Sequence, residues 1–338
     1  MKRLRLDQII KSFHGKRIAV LGDLILDVYA WGKVSRISPE APVPVVRVKN
    51  TTYSLGGAAN VMRNIVTLGG KVCAFGIVGE DAKAAILRQQ LADYGIEASS
   101  VLADSSRRTT EKQRIVAGSQ QVVRIDYEDT GHVRGDLMER LLGELLRLVH
   151  AKEIDAIIFE DYNKGVIEKG MIQKITAAAR ENGIMTALDP HPGQRLEVKG
   201  LSVLKPNRAE AFELAGVYQK DPSGPPEKDE SLHEVAAKLF EIWEPEWMLI
   251  TMGPQGMALF GKDGSREFIP TKAREVFDVS GAGDTVVSAF TLALASGASA
   301  REAAEIANHA AGVVVGKVGT VSVTTEELVA SFEAEGLK

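Results

Sequence analysis

"DAIIFED" (155–161), "KGMIQKITAAARENG" (169–183) and "MTALDP" (185–190) read in turn as strand, helix and strand. The unit recurs on both sides. "GDLMERLLGELLRLVH" (135–150) is helical, and "LSVLKPN" and "AEAFELAG" follow beyond Pro190. A polar insertion, "YQKDPSGPPEKDE", precedes the helical "SLHEVAAKLFEIW". "WMLITMGPQGMALFGKDG" then reads as a strand, a turn and a hairpin. Strands that alternate with helices imply an α/β fold whose mostly parallel sheet is covered on both faces.

Working back to the N-terminus, "RIAVLGDLILDVY" opens as a buried strand ending at Gly22. "GGAANVMRNIVTLGG" is a glycine turn into a helix that stops at Gly69-Gly70, and "KVCAFGIVG" is a further buried strand. Two β segments break the alternation. "APVPVVRV" is interrupted by proline and suits a sheet edge, and "TEKQRIVAGSQQVVRIDYED" reads as a hairpin with a Gly-Ser turn. A small β lid built from about 33–52 and 107–126 accounts for both, with residues 1–338 forming one domain.

The chain has 338 residues, 45% hydrophobic and 25% charged, ordinary for a globular protein and long enough for a large core. Its net charge of −4 argues against a nucleic-acid surface. "MKRLRLDQIIKSFHGKR" lacks an apolar signal-peptide core, and no run has the length of a membrane span. The single Cys73 excludes an internal disulfide framework and fits a reducing, cytoplasmic setting. None of the six histidines has metal-ligand spacing.

"DVSGAGDTV" (278–286) carries the chemistry. Glycines ahead of a helix leave backbone N–H groups free to converge on an anion. A carboxylate beside them, Asp284, has a task if the anion is a phosphoryl group in transfer, because it can take the proton of the attacking hydroxyl. The plain alternative is an Asp favoured in the first turn of any helix.

This stretch resembles the second signature of the ribokinase/PfkB carbohydrate kinases, and "LGGAANVMRNIVTLGG" (55–70) resembles their first. Between them "LKPNRAE" matches the family's Asn-x-x-Glu element, and "ITMGPQG" its Thr-x-Gly-x-x-Gly nucleotide loop. The resemblance covers nearly the whole chain. It implies a ribokinase-like three-layer core, with Asp284 as catalytic base and Gly281, Ala282 and Gly283 as anion hole. It implies that Asp27, at the end of the first strand, grips sugar hydroxyls, and that Gly57 and Asn60 form the sugar turn. Asn64 reads either as a further contact or as a solvated helix residue. Thr251, Gly253, Gly256 and Asn308 should line ATP. Asn207 and Glu210 should organise Mg²⁺ through water, and the same pair also has the spacing of a helix cap. Asp278 and Ser280 resemble positions around a monovalent-cation site, such as one for K⁺.

"SRISPEAPVPVVRV", "RRTTEKQRIVAGSQQVVRIDYED" and "EDYNKG" narrow the resemblance to kinases of D-glycero-β-D-manno-heptose 7-phosphate. These act on the anomeric hydroxyl. Glu160 and Asn163 depart from that pattern, which has Ser and Gly there, and no His-x-Gly-His motif suggests adenylyl transfer. A phosphorylated sugar needs a cationic clamp away from Asp284, and Lys112 and Arg124, with Arg108 and Arg114 nearby, are the candidates. The alternating valines of "APVPVVRV" and the resemblance imply a homodimer that pairs lid with lid. The competing readings are another ribokinase-like or fructokinase-like kinase and a non-catalytic sensor, against which the intact Asp284 argues. An oxidoreductase fails because "VLGDLIL" lacks the Gly-x-Gly-x-x-Gly turn.

Overall fold

The computed structural model describes residues 1–118, 120–219, 224–273 and 275–336. Ser119 of the expected Gly-Ser turn and residues 220–223 of the polar insertion lie outside the described residues. The chain opens with α1 (Arg3–Phe13) and β1 (Arg17–Gly22). A hairpin of β2 (Leu24–Ile37) and β3 (Pro44–Gly57) leads to α2 (Ala58–Thr67), β4 (Lys71–Val78), α3 (Ala82–Asp93) and β5 (Glu97–Ala103). A second hairpin, β6 (Thr110–Ala117) and β7 (Gln120–Tyr127), precedes α4 (Gly135–His150), β8 (Ala156–Glu160), α5 (Lys169–Glu181) and β9 (Met185–Asp189). Then come β10 (Val203–Leu204), α6 (Arg208–Ala215), α7 (Glu230–Trp243), β11 (Trp247–Thr251), β12 (Met257–Gly261) and β13 (Arg266–Ile269). Helices α8 (Ala282–Ala295), α9 (Ala300–Val315) and α10 (Thr325–Glu333) follow.

The main sheet has nine strands in the order β13-β12-β11-β10-β9-β8-β1-β4-β5. It is parallel from β5 to β11, and β12 and β13 add an antiparallel edge. Successive side chains of a strand point to opposite faces, so a strand covered on both sides is apolar throughout. β8 shows this: Ala156 and Ile158 pack with α2, α8 and α9, while Ile157 and Phe159 pack with α4, α5 and α7. The result is the α/β three-layer, mostly parallel architecture expected from the sequence.

A second sheet of four strands, in the order β3-β2-β6-β7, stands apart from the first. Its core starts earlier than the sequence suggests. The first apolar run does not stop in the main sheet; it breaks at Asp23 and continues as β2, paired with β3 from Leu24 opposite Gly57 to Ile37 opposite Pro44. The break is built from polar groups. Asp23 Oδ2 accepts hydrogen bonds from the backbone N–H of Tyr162 (2.9 Å) and of Lys164 (3.1 Å). A Cβ on Gly22 would lie 2.4 Å from Glu160 O, so only glycine lets the chain turn there. Asp27 therefore belongs to the second sheet and not to the end of the first strand. The proline-containing β3 is an edge strand, as a missing N–H requires. Among the described residues no helix is long and apolar enough to cross a membrane.

Candidate active site

Helix α8 begins where the two sheets meet. Gly281, its N-cap, has φ 76°, and a Cβ there would lie 2.5 Å from Asn60 Nδ2. Glycine is thus required both for the backbone and for the close approach of α2. Asp284, in the first turn, is buried. Its Oδ2 accepts from Asn60 Nδ2 and its Oδ1 from the Tyr162 hydroxyl, both at 2.7 Å. Burial pushes the Asp284 carboxyl up; the Asn60 and Tyr162 bonds pull it back, and the balance stands at about 6. A carboxylate in that range is ionised at neutral pH and still basic enough to accept a proton.

Beneath Asp284 lie the C-terminal ends of three neighbouring strands. Glu160 ends β8 and faces Asp189 of β9 in register. Glu160, Asp189 and Asp284 each bring a carboxylate oxygen within 4.8 Å of the other two. Lys205, just after β10, compensates them with its Nζ 2.7 Å from Asp189 Oδ2. Burial works against the Lys205 charge, but Asp189, Glu210 and Glu160 outweigh it, and the ammonium is held. Burial, with Asp189 and Asp284 nearby, pushes the Glu160 carboxyl well above the usual range. Burial likewise lifts Asp189, to about 6, against the pull of Lys205. The Lys205 ammonium lies 3.3 Å from where a Gly283 Cβ would be, so it also faces the start of α8.

On one side of α8 a cavity of about 290 Å³ is lined by Thr251, Gly253, Gly256, Ala282, Gly283 and Asn308, among others. Gly256 has φ 84°, and a Cβ there would fall 2.0 Å from Ile269 O. Asn308 Nδ2 donates to Pro270 O at 2.6 Å. Asn207 forms a bridge with Thr251 and caps α6. Its Oδ1 accepts from Glu210 N (3.0 Å), and Glu210 Oε2 accepts from Asn207 N (2.7 Å). The capping box is therefore present, and it leaves one Glu210 oxygen outside the cap. The carboxylate oxygens of Glu160, Asp189 and Asp284, which come together, are of the kind a hard cation such as Mg²⁺ takes.

On the other side lies Asp27, also buried. Arg114 Nη1 donates to its Oδ1 at 2.5 Å and Thr320 Oγ1 to its Oδ2 at 3.0 Å. Thr320 in turn sits under Gly281, where a Cβ would lie 3.1 Å from its Cγ2. Gly57, with φ 54°, closes β3 beside Asp23 and Ile25. The first turn of α8 thus joins the glycine-lined cavity to the Asp27 network.

Several residues expected to meet a sugar are engaged with other groups of the protein. Asn60 is 0% exposed and contacts Asp284, Arg63 and Asn64. Asn64 is equally buried, not solvated, and accepts from Thr285 Oγ1. Lys112 lies opposite Asp126 and Arg114 opposite Arg124, as the hairpin register requires. Lys112 Nζ is 3.0 Å from Asp126 and 3.8 Å from Glu128, and Arg124 Nε is 2.9 Å from Asp126. The expected clamp is therefore already paired with carboxylates, and Arg108 pairs with Asp129. The Ala282 N–H, expected in the anion hole, donates to Val279 O at 3.2 Å. Asp278 accepts from the N–H of Ser280 (2.9 Å) and of Gly319 (3.0 Å). Burial raises the Asp278 carboxyl, but these bonds win and hold it below its ordinary value.

Sequence reading left Tyr162, Asp189, Lys205, Arg63 and Thr320 without a role. Three of them stand in "EDYNKG", "LDP" and "LKPN", at or just beyond the C-terminal ends of parallel strands. Open α/β sheets gather their ligands there, so position alone was a usable signal.

A pfkB family carbohydrate kinase model matches residues 16–327. The bifunctional protein HldE of Desulfatibacillum aliphaticivorans is 40% identical over 326 residues, covering 96% of this chain and 64% of that protein. HldE of Geobacter sulfurreducens is 39% identical over 332 residues, covering 98% of this chain and 66% of that protein. The chain thus spans just under two thirds of the length of these relatives. Among solved structures, Escherichia coli phosphofructokinase-2 in complex with potassium superposes with a TM-score of 0.77 at 20% identity, covering 94% of this chain and 98% of that one. Arabidopsis thaliana ribokinase complexed with ribose and ATP gives 0.71 at 20% identity, covering 94% and 98%. The shared architecture and the match across nearly the whole chain agree: the chain belongs to the pfkB family of carbohydrate kinases.

Proposed function

We propose that this carbohydrate kinase transfers the γ-phosphoryl group of ATP to the anomeric hydroxyl of D-glycero-D-manno-heptose 7-phosphate, giving the 1,7-bisphosphate. The observation that carries it is the buried Asp284 at the start of α8, between the glycine-lined cavity and the Asp27 network. ATP occupies the cavity along Thr251, Gly253, Gly256 and Asn308, and the sugar hydroxyls meet Asp27 and the Gly57 turn. Asp284 takes the proton as the hydroxyl oxygen attacks the γ-phosphorus. The new O–P bond forms as the bond to the β,γ-bridging oxygen breaks, and ADP leaves. Each Asp284 oxygen already accepts one hydrogen bond and keeps a further acceptor site for the incoming hydroxyl. Lys205 and the amides around Gly283 face the charge that develops on the phosphoryl oxygens. Glu210 and Asn207 would hold Mg²⁺ through water, which neutralises phosphate charge when bound. Asp278 and Ser280 are the candidates for a monovalent cation such as K⁺.

The heptose reading rests on the likeness of the second-sheet segments and of "EDYNKG" to heptose 7-phosphate kinases, together with the HldE relatives. Lys112 and Lys164 share Glu128, at 3.8 and 2.8 Å, and would receive the distal phosphate there, with Arg124 at the rim. The test is an ADP-release assay against heptose 7-phosphate, free heptose, ribose and fructose 6-phosphate, with the product located by ³¹P NMR. Turnover of heptose 7-phosphate to a 1-phosphorylated product is expected. Turnover confined to ribose or fructose 6-phosphate would replace the heptose reading by that of another pfkB sugar kinase.

A further inference from the structure

Arg63 lies in α2 and is only 5% exposed. It donates to neutral oxygens: Nη1 to Ser54 Oγ at 2.8 Å and Nη2 to Asn60 Oδ1 at 2.5 Å. Its Nε has no partner among the described residues. Among the described residues it makes no ion pair within salt-bridge distance; burial works against its charge, the Tyr94 hydroxyl supports it, and Asp284 and Asp27 act on it from farther off. A buried cation without a paired carboxylate is expensive, and an apolar side chain of the same size would pack there at lower cost. The position therefore needs a reason other than packing.

Asn60 supplies it. Its Oδ1 accepts from Arg63 Nη2 and, at 3.3 Å, from Asn64 Nδ2; its Nδ2 donates to Asp284 Oδ2 at 2.7 Å. An amide can rotate by half a turn at little steric cost, and only its partners decide which end faces where. The opposite orientation would set the Asn60 carbonyl against the Asp284 carboxylate and its NH₂ against the guanidinium. Arg63 makes that orientation untenable, because a guanidinium has donors and no acceptor. Asn64 supports this orientation less directly: its Nδ2 is shared between the Asn60 backbone carbonyl at 3.0 Å and Asn60 Oδ1 at 3.3 Å, while Thr285 Oγ1 holds its Oδ1 at 3.2 Å, so the short bond to the Asn60 amide is the one from Arg63.

We infer that Arg63 is a positioning residue for phosphoryl transfer, which holds the Asn60 amide with its N–H aimed at Asp284. The inference rests on the reading of Asp284 as the base. The guanidinium touches neither substrate nor the reacting atoms in that reading; it acts one residue removed, through the amide.

The experiment has a part that needs no substrate. In ¹⁵N–¹H spectra of the free protein, the Asn60 side-chain NH₂ pair is assigned by its loss in Asn60→Ala. In the wild type it should be sharp and slow to exchange with water. In Arg63→Met it should lose that protection while the backbone spectrum stays native. Arg63→Lys, which keeps one donor, should recover part of it and carries the test if the Met variant does not fold. In kinetics with ATP and heptose 7-phosphate, Arg63→Met should lower kcat by about 10–100-fold, the usual loss when an outer orienting partner is removed. KM for ATP should stay within about twofold, and the double variant Arg63→Met/Asn60→Ala should be no worse than Asn60→Ala alone. An unchanged Asn60 resonance in Arg63→Met, or losses that multiply in the double variant, would overturn the inference. If Asp284→Asn keeps its turnover, the base assignment fails by itself, and the Asn60 resonance still decides what Arg63 does.

Discussion

Asp284 is held between two opposing demands. In the proposed role it must be buried to act on a phosphoryl group away from water, and burial pushes its carboxyl up. Asn60 and Tyr162 offset that pressure with one hydrogen bond to each oxygen, and the carboxyl comes to rest at about 6. Asp284→Asn keeps the shape and removes the base, so kcat should fall by about 10²–10⁴-fold while ATP binding, read by calorimetry, is nearly unchanged. The same balance sets a pH dependence. A base works only when ionised, so kcat/KM should be flat above about 6 and fall about tenfold per pH unit below it. A profile still flat at pH 5 would remove Asp284 from the role. Glu210 poses a different question, because it caps α6 as well. Glutamine at the third helical position also serves a capping box. Glu210→Gln should therefore leave the unfolding temperature close to wild type, raise the Mg²⁺ concentration for half-maximal activity and spare KM for the sugar. An unchanged Mg²⁺ titration would leave Glu210 as a cap only. Asp284 and the glycines before it were legible as a group because they are contiguous in "GAGD". Glu160, Asp189, Lys205 and Tyr162 were not, because they meet only when separate strands end side by side. Asn60 was legible as important, but nothing in a linear motif says which of its neighbours an amide will face.

The strands and helices were read best where one environment covers a whole element. β8 and the helices around it show their apolar faces in the sequence itself, because both faces of the sheet are covered. The second sheet was harder. β2 continues β1 after a single break, and that break depends on Asp23 accepting backbone bonds from the distant segment 162–166. No local pattern carries that information, and so Asp27 was assigned to the wrong sheet. The hairpin of β6 and β7 fared better, because period-two alternation fixes which residues face each other. It places Lys112 over Asp126 and Arg114 over Arg124. This pairing changes what the clamp can do. Lys112 is the better enclosed of the two cations, with 17% of its side chain exposed against 50% for Arg124. A charged contact counts for more where water is excluded, so the two should differ. Lys112→Ala should raise KM for heptose 7-phosphate by about tenfold or more, in line with roughly 1.5–3 kcal/mol for a charged hydrogen bond, and leave KM for ATP alone. Arg124→Ala should have the smaller effect. Equal kcat/KM for heptose 7-phosphate and free heptose would eliminate the clamp altogether.

At the scale of the molecule the two sheets have unequal cover. The main sheet lies between two layers of helices, whereas the four-stranded sheet has little over its outer strands. Every residue of β7 is exposed, with Val123 at 45% and Tyr127 at 40%; on β2 and β3, Ile37 and Val48 are exposed as well. A small sheet of this kind does not bury both of its faces, and an apolar surface of several such residues marks an interaction site. We propose a second copy of the chain as the occupant, because a twofold pairing would present the same apolar strands from both sides and cover both at once. Closure of the second sheet over Asp27 would then be coupled to assembly, since β2 carries Asp27 and β6 carries Arg114. Light scattering at micromolar concentration should give twice the chain mass. Val123→Lys with Ile125→Glu, placed on exposed positions of β7 away from the Asp284 site, should shift the protein toward monomer and raise KM for the sugar phosphate more than KM for ATP. A wild type that scatters as a monomer with full activity would show that the exposed strands serve something other than pairing.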